Sequence, residues 1–218
     1  MNLILYYFSI PFWRAEVTRI SLFINNIDFT DYRISDSEYK EFKKNGRLPN
    51  GMIAPFKQLP VLEIDGKIIA QTSAIARYCG KISGMYPTNN NYESAQIDQI
   101  IDAAQDINFA VTLSGKDKDP IKKKLAREKL SQIHLPKWFQ FLEDLLIENK
   151  NSKWFVGGSM TIADLAIWRL IGWLKSGLLE GVPISIVDPY KNLVMMRDEI
   201  YKHPKIKEWM IIKYGKEI

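Results

Sequence analysis

Cysteine and histidine are scarce in this chain of 218 residues, which contains one cysteine, Cys79, and two histidines, His134 and His203. A single cysteine excludes an intramolecular disulfide bond and a cysteine-based zinc cluster. With only two histidines, a histidine-rich metal site is not expected, and a Ser–His–Asp triad would have to use one of them. We therefore expect no metal site, and a chemistry based on hydroxyls, amides, the backbone or a thiol brought by a ligand.

Long hydrophobic runs are missing as well, since no apolar stretch approaches the roughly 18–20 residues of a transmembrane helix. The apolar start, Met1 to Phe8, lacks the basic region and cleavage site of a signal peptide. We therefore expect a cytoplasmic protein without a membrane partner. The net charge is +5, but the basic run 122–124 stands beside Asp117, Asp119 and Glu128. This mixture favours a solvated helix face over a phosphate-binding stripe, so no nucleic-acid partner is expected.

The first third of the chain combines short β-prone runs with helical periodicity, which predicts an α/β domain. Two β-prone runs flank Asp65-Gly66, and this dipeptide is a strong hairpin signal. Thr72 or Ser73 is expected to cap the following helix, which runs to about Ile82. Residues 35–54 are expected to be irregular with one short helix. The predicted strands are residues 3–8, 29–34, 61–64 and 67–70, with an earlier helix over residues 15–24.

Strand patterns nearly vanish after residues 83–92, a segment rich in turn-forming residues that predicts a linker. Apolar residues then recur at helical spacing, from Ile97 to Val111 and from Leu135 to Leu146. Pro136 is expected to bend or begin a helix, because it lacks an N–H. Further helices are predicted from Thr161 and over about 188–201 and 204–214. The predicted organisation is an α/β domain (1–82), a linker (83–92) and an all-helical domain (93–218).

Pro60 stands directly before a predicted strand, where a proline is awkward for sheet pairing. A cis X-Pro bond costs only about 0.5–1 kcal/mol, so a fold can hold it. Such a bond would turn the N–H and C=O of Leu59 outward, where a peptide could pair with them like an added strand. The helix start at Gln71 and Thr72 offers free N–H groups to a carboxylate. A plain helix cap explains these two residues equally well.

Five motifs, taken in order and spacing, resemble those of the cytosolic glutathione transferases over essentially the whole chain. Each motif alone is unspecific, and the combination carries the resemblance. The nearest group is the tyrosine-type, sigma-like one, which implies a thioredoxin-like N-terminal domain, an all-α C-terminal domain and a homodimer. The motifs are Tyr7-Phe8, Arg14-Ala15-Glu16, Pro55 to Leu62, Ala70 to Tyr78 and Thr161 to Leu165.

The resemblance implies an enzyme of detoxification that uses glutathione as cosubstrate and attacks small electrophilic, mostly apolar substrates. Tyr7 matches the family's catalytic tyrosine, whose hydroxyl donates a hydrogen bond to the glutathione sulfur and lowers the pKa of the thiol. Between Tyr7 and Ala15 the chain has one residue more than the sigma-like spacing. Ser9 is therefore the alternative thiol activator. The alternative functions are a glutathione-dependent isomerase of the prostaglandin-synthase kind and a non-catalytic binding or structural protein.

The resemblance also implies which residues hold glutathione. Leu59 would pair with the cysteinyl backbone, Gln71 and Thr72 would hold the γ-glutamyl end, and Gln58 would lie beside the peptide. The family's residues for the glycyl carboxylate do not align with this chain. A nearby cation is expected there instead, and we choose Lys44, with Lys43 and Arg47 as the alternatives. The complete set of implied glutathione-binding residues is Phe8, Arg14, Lys44, Gln58, Leu59, Pro60, Gln71, Thr72 and Asp106.

Other residues remain open between a functional and a structural interpretation. Asp106, with Gln105, matches a place where some family members reach into the neighbouring subunit's site, but a solvated helix position explains both residues too. An apolar substrate pocket or the core would accommodate three aromatic residues: Phe109, Trp168 and Trp173. Thr161 and Asp164 form a capping-box pattern, so we interpret Asp164 as a folding residue. Cys79 is expected to be a buried filler.

Overall fold

The structure is a computed structural model, which describes residues 1–150 and 152–215. The remaining residues of the predicted helical domain, 151 and 216–218, lie outside the described part. The strands are β1 (Leu3–Tyr7), β2 (Thr30–Arg33), β3 (Val61–Ile64) and β4 (Lys67–Ala70). The helices are α1 (Trp13–Ile24), α2 (Asp36–Asn45), α3 (Thr72–Ser83), α4 (Asn91–Ser114), α5 (Pro120–Lys129), α6 (Leu135–Glu148), α7 (Ile162–Leu174), α8 (Lys191–Lys202) and α9 (Pro204–Tyr214).

The four strands form one mixed sheet in the order β2-β1-β3-β4. β1 runs parallel to β2, with Leu5 opposite Asp31, and antiparallel to β3, with Leu5 opposite Leu62. Asp65 and Gly66 join β3 to β4 with φ values of 47° and 77°. Positive φ at both central residues is what a two-residue type I′ turn requires, so the predicted hairpin is confirmed.

The segment between β2 and β3 contains the expected short helix, α2. Ser35 and Glu38 cap its start reciprocally, because each side chain bonds the other's backbone N–H. Gly46 ends the helix with φ 74°, a conformation that costs glycine little. The chain from there to β3 is irregular, with one isolated bridge between Arg47 and Ile53.

The second half of the described chain is helical, which confirms the predicted fold class. Pro136 lies in the first turn of α6, directly after a single π-helical turn (Leu130–His134) that joins α5 to α6. The backbone at His134 and Leu135 is itself helical, so the proline lies where a continuous helical stretch passes from the π-helical turn into α6. No helix of the described residues is long and apolar enough to cross a membrane.

Helix α1 belongs to both hydrophobic cores of the molecule. Ala15 and Leu22 pack with the sheet and α3, whereas Trp13, Val17 and Ile20 pack with the helical domain. The face toward the helical domain lies chiefly against α7, whose residues are almost all buried. The segment between β1 and α1 is thereby held at the junction of the two domains.

Candidate active site

A cavity of about 130 Å³ lies where β4 ends, α3 begins and the chain enters β3. Arg14 of α1 and Gln105 of α4 complete its wall. Among the described residues that line the cavity, Arg14 alone carries a charge, so the site favours an anionic guest. The lining residues are Arg14, Phe56, Gln58, Leu59, Pro60, Ala70, Gln71, Thr72 and Gln105.

The cavity brings together six of the ten residues predicted for the site. These are Arg14, Gln58, Leu59, Pro60, Gln71 and Thr72. Sequence reasoning assigned no role to Phe56 and Ala70, which line the cavity as direct neighbours of the predicted segments. Gln105 also lines the cavity, whereas its neighbour Asp106, the predicted binding residue, does not.

The main chain at Leu59 is free to pair with a ligand. The Leu59–Pro60 peptide bond is cis, as predicted. Neither the N–H nor the C=O of Leu59 has a hydrogen-bond partner among the described residues. Because Leu59 lines the cavity, a peptide backbone bound there can donate to its C=O and accept from its N–H.

The start of α3 differs from the prediction that Thr72 or Ser73 caps it. The cap position is Gln71, whose side chain makes no capping hydrogen bond. The Ser73 hydroxyl instead donates to Asp102, at 3.4 Å. Gln71 has φ 75° and ψ 122°, an uncommon conformation for a residue with a Cβ. This backbone ends β4 and begins α3 without a side-chain cap, so the first N–H groups of the helix remain available to a carboxylate.

Tyr7 ends β1, and its side chain is almost fully buried, with 4 % exposed. Burial raises the pKa of Tyr7 to about 12, although the charges of Arg14 and Arg19 oppose that rise. The phenol is therefore protonated at neutral pH and can donate its proton in a hydrogen bond. Its hydroxyl makes no hydrogen bond to the residues that the structure describes, and Arg14 links it electrostatically to the cavity.

The two hydroxyls closest to Tyr7 in sequence have other partners. The Tyr6 hydroxyl points to the opposite face of β1 and donates to Glu63, at 2.9 Å. Ser9 is exposed, and its hydroxyl accepts a hydrogen bond from Nη1 of Arg33, at 2.9 Å. Ser9 thus lies beside Arg33, whereas Tyr7 lies in the field of Arg14.

Besides Tyr7, three other predicted residues do not line the cavity. Phe8 packs edge-on against Tyr39, with ring centroids 4.7 Å apart. Lys44 lies on the exposed face of α2 in an ion pair with Glu41. Asp106 is exposed on α4. Nothing in the described geometry joins these three to one another.

The structure distinguishes between the functional and structural interpretations of the three aromatic residues and of Cys79. Trp168 is buried in the helical core, Trp173 packs edge-on against Phe12, and Phe109 is exposed. Burial raises the pKa of the Cys79 thiol to about 12, which makes it unreactive. The described residues contain no group of three or more histidine, cysteine, aspartate or glutamate side chains that could hold a metal ion.

Comparison with known protein families identifies relatives of this chain. The family model "Glutathione S-transferase, N-terminal domain" matches residues 4–81, and "Glutathione S-transferase, C-terminal domain" matches residues 106–211. A glutathione S-transferase of Plasmodium yoelii yoelii is 34% identical over 171 residues, which cover 75% of this chain and 74% of the relative. The chain belongs to the glutathione S-transferase family. Hematopoietic prostaglandin D synthase of Gallus gallus is 31% identical, with 90% of this chain and 89% of that protein covered.

Solved structures of glutathione S-transferases and their relatives share the fold over the full length. Prostaglandin synthase D of Nilaparvata lugens superposes with a TM-score of 0.81 at 27% identity, covering 96% of this chain and 97% of that one. A monomeric glutathione S-transferase of Necator americanus gives a TM-score of 0.79 at 27% identity, with 100% of both chains covered.

Proposed function

We propose that this glutathione S-transferase binds glutathione in the cavity at the start of α3 and activates its thiol for attack on small electrophilic, mostly apolar substrates. One observation carries the proposal: a single cation, a free main-chain N–H and C=O at Leu59, and an uncapped helix start meet at one cavity. Glutathione is an anionic tripeptide, so its backbone and carboxylates match these groups.

The groups at the cavity suggest how the peptide is held. Leu59 pairs with the cysteinyl backbone, and Gln71 and Thr72 receive the γ-glutamyl carboxylate at the start of α3. Gln58 and Pro60 border the peptide. The glycyl carboxylate is met by Lys44 or by its neighbours Lys43 and Arg47, and Asp106 together with Gln105 contributes from α4.

Tyr7 is the proposed thiol activator, with Phe8 beside it. A free thiol has a pKa of about 8.5, so little of it is thiolate at neutral pH. A hydroxyl that donates to the sulfur stabilises the thiolate and lowers that pKa. The raised pKa of Tyr7 supports this role, because the phenol keeps the proton that it must donate. Ser9 is the alternative, although its hydroxyl already accepts a bond from Arg33.

Several finer assignments belong to the same proposal. The tyrosine at the end of β1 supports a tyrosine-type, sigma-like member, and the family fold supports a cytoplasmic homodimer with a role in detoxification. The proposed domain limits are 1–82, a linker at 83–92, and 93–218. The short connection between α3 and α4, from Ser83 to Asn91, supports the position of the linker.

A glutathione-dependent isomerase is the second candidate, and the likeness to two proteins named as prostaglandin D synthases favours it. Conjugation and isomerisation would share Tyr7 and the glutathione cavity. They would differ in the electrophile, so turnover of a generic aryl halide and of a prostaglandin endoperoxide separates them.

The test has two stages. Retention on immobilised glutathione and turnover of an aryl halide are expected, and a chain that does neither refutes the proposal. The pKa of the bound thiol, read by ultraviolet titration, then compares Tyr7→Phe with Ser9→Ala. We expect Tyr7→Phe to raise the thiol pKa toward about 8.5 and Ser9→Ala to leave it unchanged. The reverse pattern would assign the activation to Ser9.

A further inference from the structure

The β1–α1 loop, residues 8–12, connects Tyr7 to the helix that carries Arg14. Residues 8–11 make no backbone–backbone hydrogen bond within the described part of the chain. Side chains instead bind the carbonyl groups of Phe8, Ile10 and Pro11. Because these side chains come from elements on both sides of the domain junction, they determine where the loop lies between the two site residues.

Arg19 binds the first part of the loop from α1. Its Nη2 donates to the Phe8 carbonyl at 3.0 Å, and its Nη1 to the Ile10 carbonyl at 3.3 Å. The guanidinium is fully buried and is paired with two carboxylates, Glu16 at 3.0 Å and Asp31 at 2.7 Å. These ion pairs account for the burial of Arg19, and its Nη1 also reaches the Tyr214 hydroxyl of α9, at 3.5 Å.

Arg169 binds the last part of the loop from the other domain. It lies on α7 with 2% exposed, and its Nη2 donates to the Pro11 carbonyl at 2.7 Å. Within the described residues it has no ion-pair partner, and its Nε has no hydrogen-bond partner. Burying an unpaired cation is costly. The guanidinium lies 4.9 Å from the centroid of the Trp168 ring, and the charge of Glu16 on α1 acts on it from a distance. The Pro11 carbonyl is its hydrogen-bond acceptor across the domain junction among the described residues.

The position of Arg169 depends on a glycine one turn further along α7. A Cβ built on Gly172 would lie 3.1 Å from Nη1 and 3.5 Å from Nη2 of Arg169. An alanine at position 172 would therefore push the guanidinium by a few tenths of an ångström while leaving its charge and the rest of the helix in place.

We propose that Arg169 is a positioning residue for thiol activation: it holds the β1–α1 loop through Pro11, and so sets the placement of Tyr7 relative to Arg14 and the cavity. The inference rests on the proposed function. A misplacement of about 1 Å at a reacting group can lower turnover about 10²-fold, so a displacement of a few tenths of an ångström is expected to cost up to about tenfold.

Gly172→Ala is the first test. Gly158→Ala, in the turn before α7, controls for an added methyl group that meets nothing, since no heavy atom lies within 4 Å of a Cβ there. Alanine favours a helix more than glycine does, so Gly172→Ala should keep or raise the melting temperature. We nevertheless expect the pKa of the bound thiol to rise toward about 8.5 and kcat/KM to fall about tenfold. The control should change none of these.

Arg169→Met and Arg169→Lys are the second test, with Arg127→Met as the control for removing a partly buried arginine of the helical domain. Arg169→Lys keeps a cationic donor and should retain a lower thiol pKa than Arg169→Met. If Arg169→Met does not fold, Gly172→Ala decides the question. A thiol pKa that stays at the wild-type value in Gly172→Ala refutes the positioning role and leaves the proposed function standing. A wild-type protein that does not bind glutathione refutes the proposed function with it.

Discussion

Replacing Asp164 by alanine should destabilise the fold far more than it impairs the chemistry. Asp164 is fully buried near the start of α7 and accepts three hydrogen bonds. They come from the Phe155 N–H at 2.9 Å, the Thr161 N–H at 2.7 Å and the Thr161 hydroxyl at 2.9 Å. The aspartate thus ties the preceding turn to the helix start.

The magnitude follows from the groups that the substitution leaves behind. Two buried N–H groups without an acceptor cost about 1–2 kcal/mol each, and the lost cap costs about 1 kcal/mol. The total is about 3–5 kcal/mol at pH 7, or a fall in Tm of about 10 °C for a chain of this length. Thermal unfolding followed by circular dichroism measures this fall. Asp28→Ala, at an exposed position, is the control and should change stability by less than about 0.5 kcal/mol.

The pH dependence provides a second check. Burial raises the pKa of Asp164 to about 6, above the value of about 3.9 in an unfolded chain. Stability from this group is therefore fully present below pH 4 and declines as pH rises through 6. The gap between wild type and Asp164→Ala should narrow from pH 4 to pH 7, by up to about 3 kcal/mol. Turnover per folded molecule at 25 °C should hardly change. A variant with an unchanged Tm and abolished turnover would make Asp164 a functional residue and refute this reasoning.

Two further predictions concern the cation at the cavity and the thiol in the core. Arg14→Met should raise the KM for glutathione about tenfold, because Arg14 is the charged residue of the cavity lining. Lys44→Met should raise the KM for glutathione only a few-fold, because the exposed ion pair with Glu41 already screens the Lys44 ammonium. Steady-state kinetics at a fixed electrophile concentration compares the two variants. A larger effect in Lys44→Met than in Arg14→Met would place the carboxylate site at α2. Cys79 should resist iodoacetamide at pH 8 in the folded protein and react in urea, since burial raises its pKa to about 12. Labelling at equal rates in both states would place that thiol at the surface.

Local patterns in the sequence predicted those features that local physics determines. Asp65-Gly66 is sufficient for the hairpin, because few other residues tolerate two positive φ values in succession. Thr161 and Asp164 are sufficient for the start of α7, because each side chain bonds the other's N–H. The same reasoning failed at Gln71, where hydroxyl residues follow at positions 72 and 73. The sharp turn out of β4 determines the φ and ψ of Gln71, and residue preferences for helix caps do not predict such a turn.

The hydrophobic periodicity also underestimated how much of α1 is buried. Periodicity detects one apolar face, whereas α1 is enclosed on nearly every side. Glu16 and Arg19 are both fully buried in it. They are stable there because the Glu16 carboxylate accepts from Arg19, from the Trp209 indole at 3.0 Å and from the Tyr214 hydroxyl at 2.6 Å. The last two partners lie about 190 residues along the chain, so no local pattern could have revealed them.

The same long-range contacts bear on the choice between the two candidate hydroxyls. Ser9 and Tyr7 are two residues apart, yet their electrostatic surroundings differ. Ser9 accepts from Arg33, which pairs with Asp31 and stacks on Tyr214 near the end of α9. The Ser9 hydroxyl can still donate a hydrogen bond while it accepts one from Arg33. The direction of that donation is then constrained by Arg33 and its surface contacts. Tyr7 is buried and protonated, its hydroxyl has no hydrogen-bond partner among the described residues, and it lies in the field of the cavity's cation. A donor in that state can bond an incoming thiolate without first breaking a bond to the protein, which is the physical reason to expect it, and not Ser9, at the sulfur.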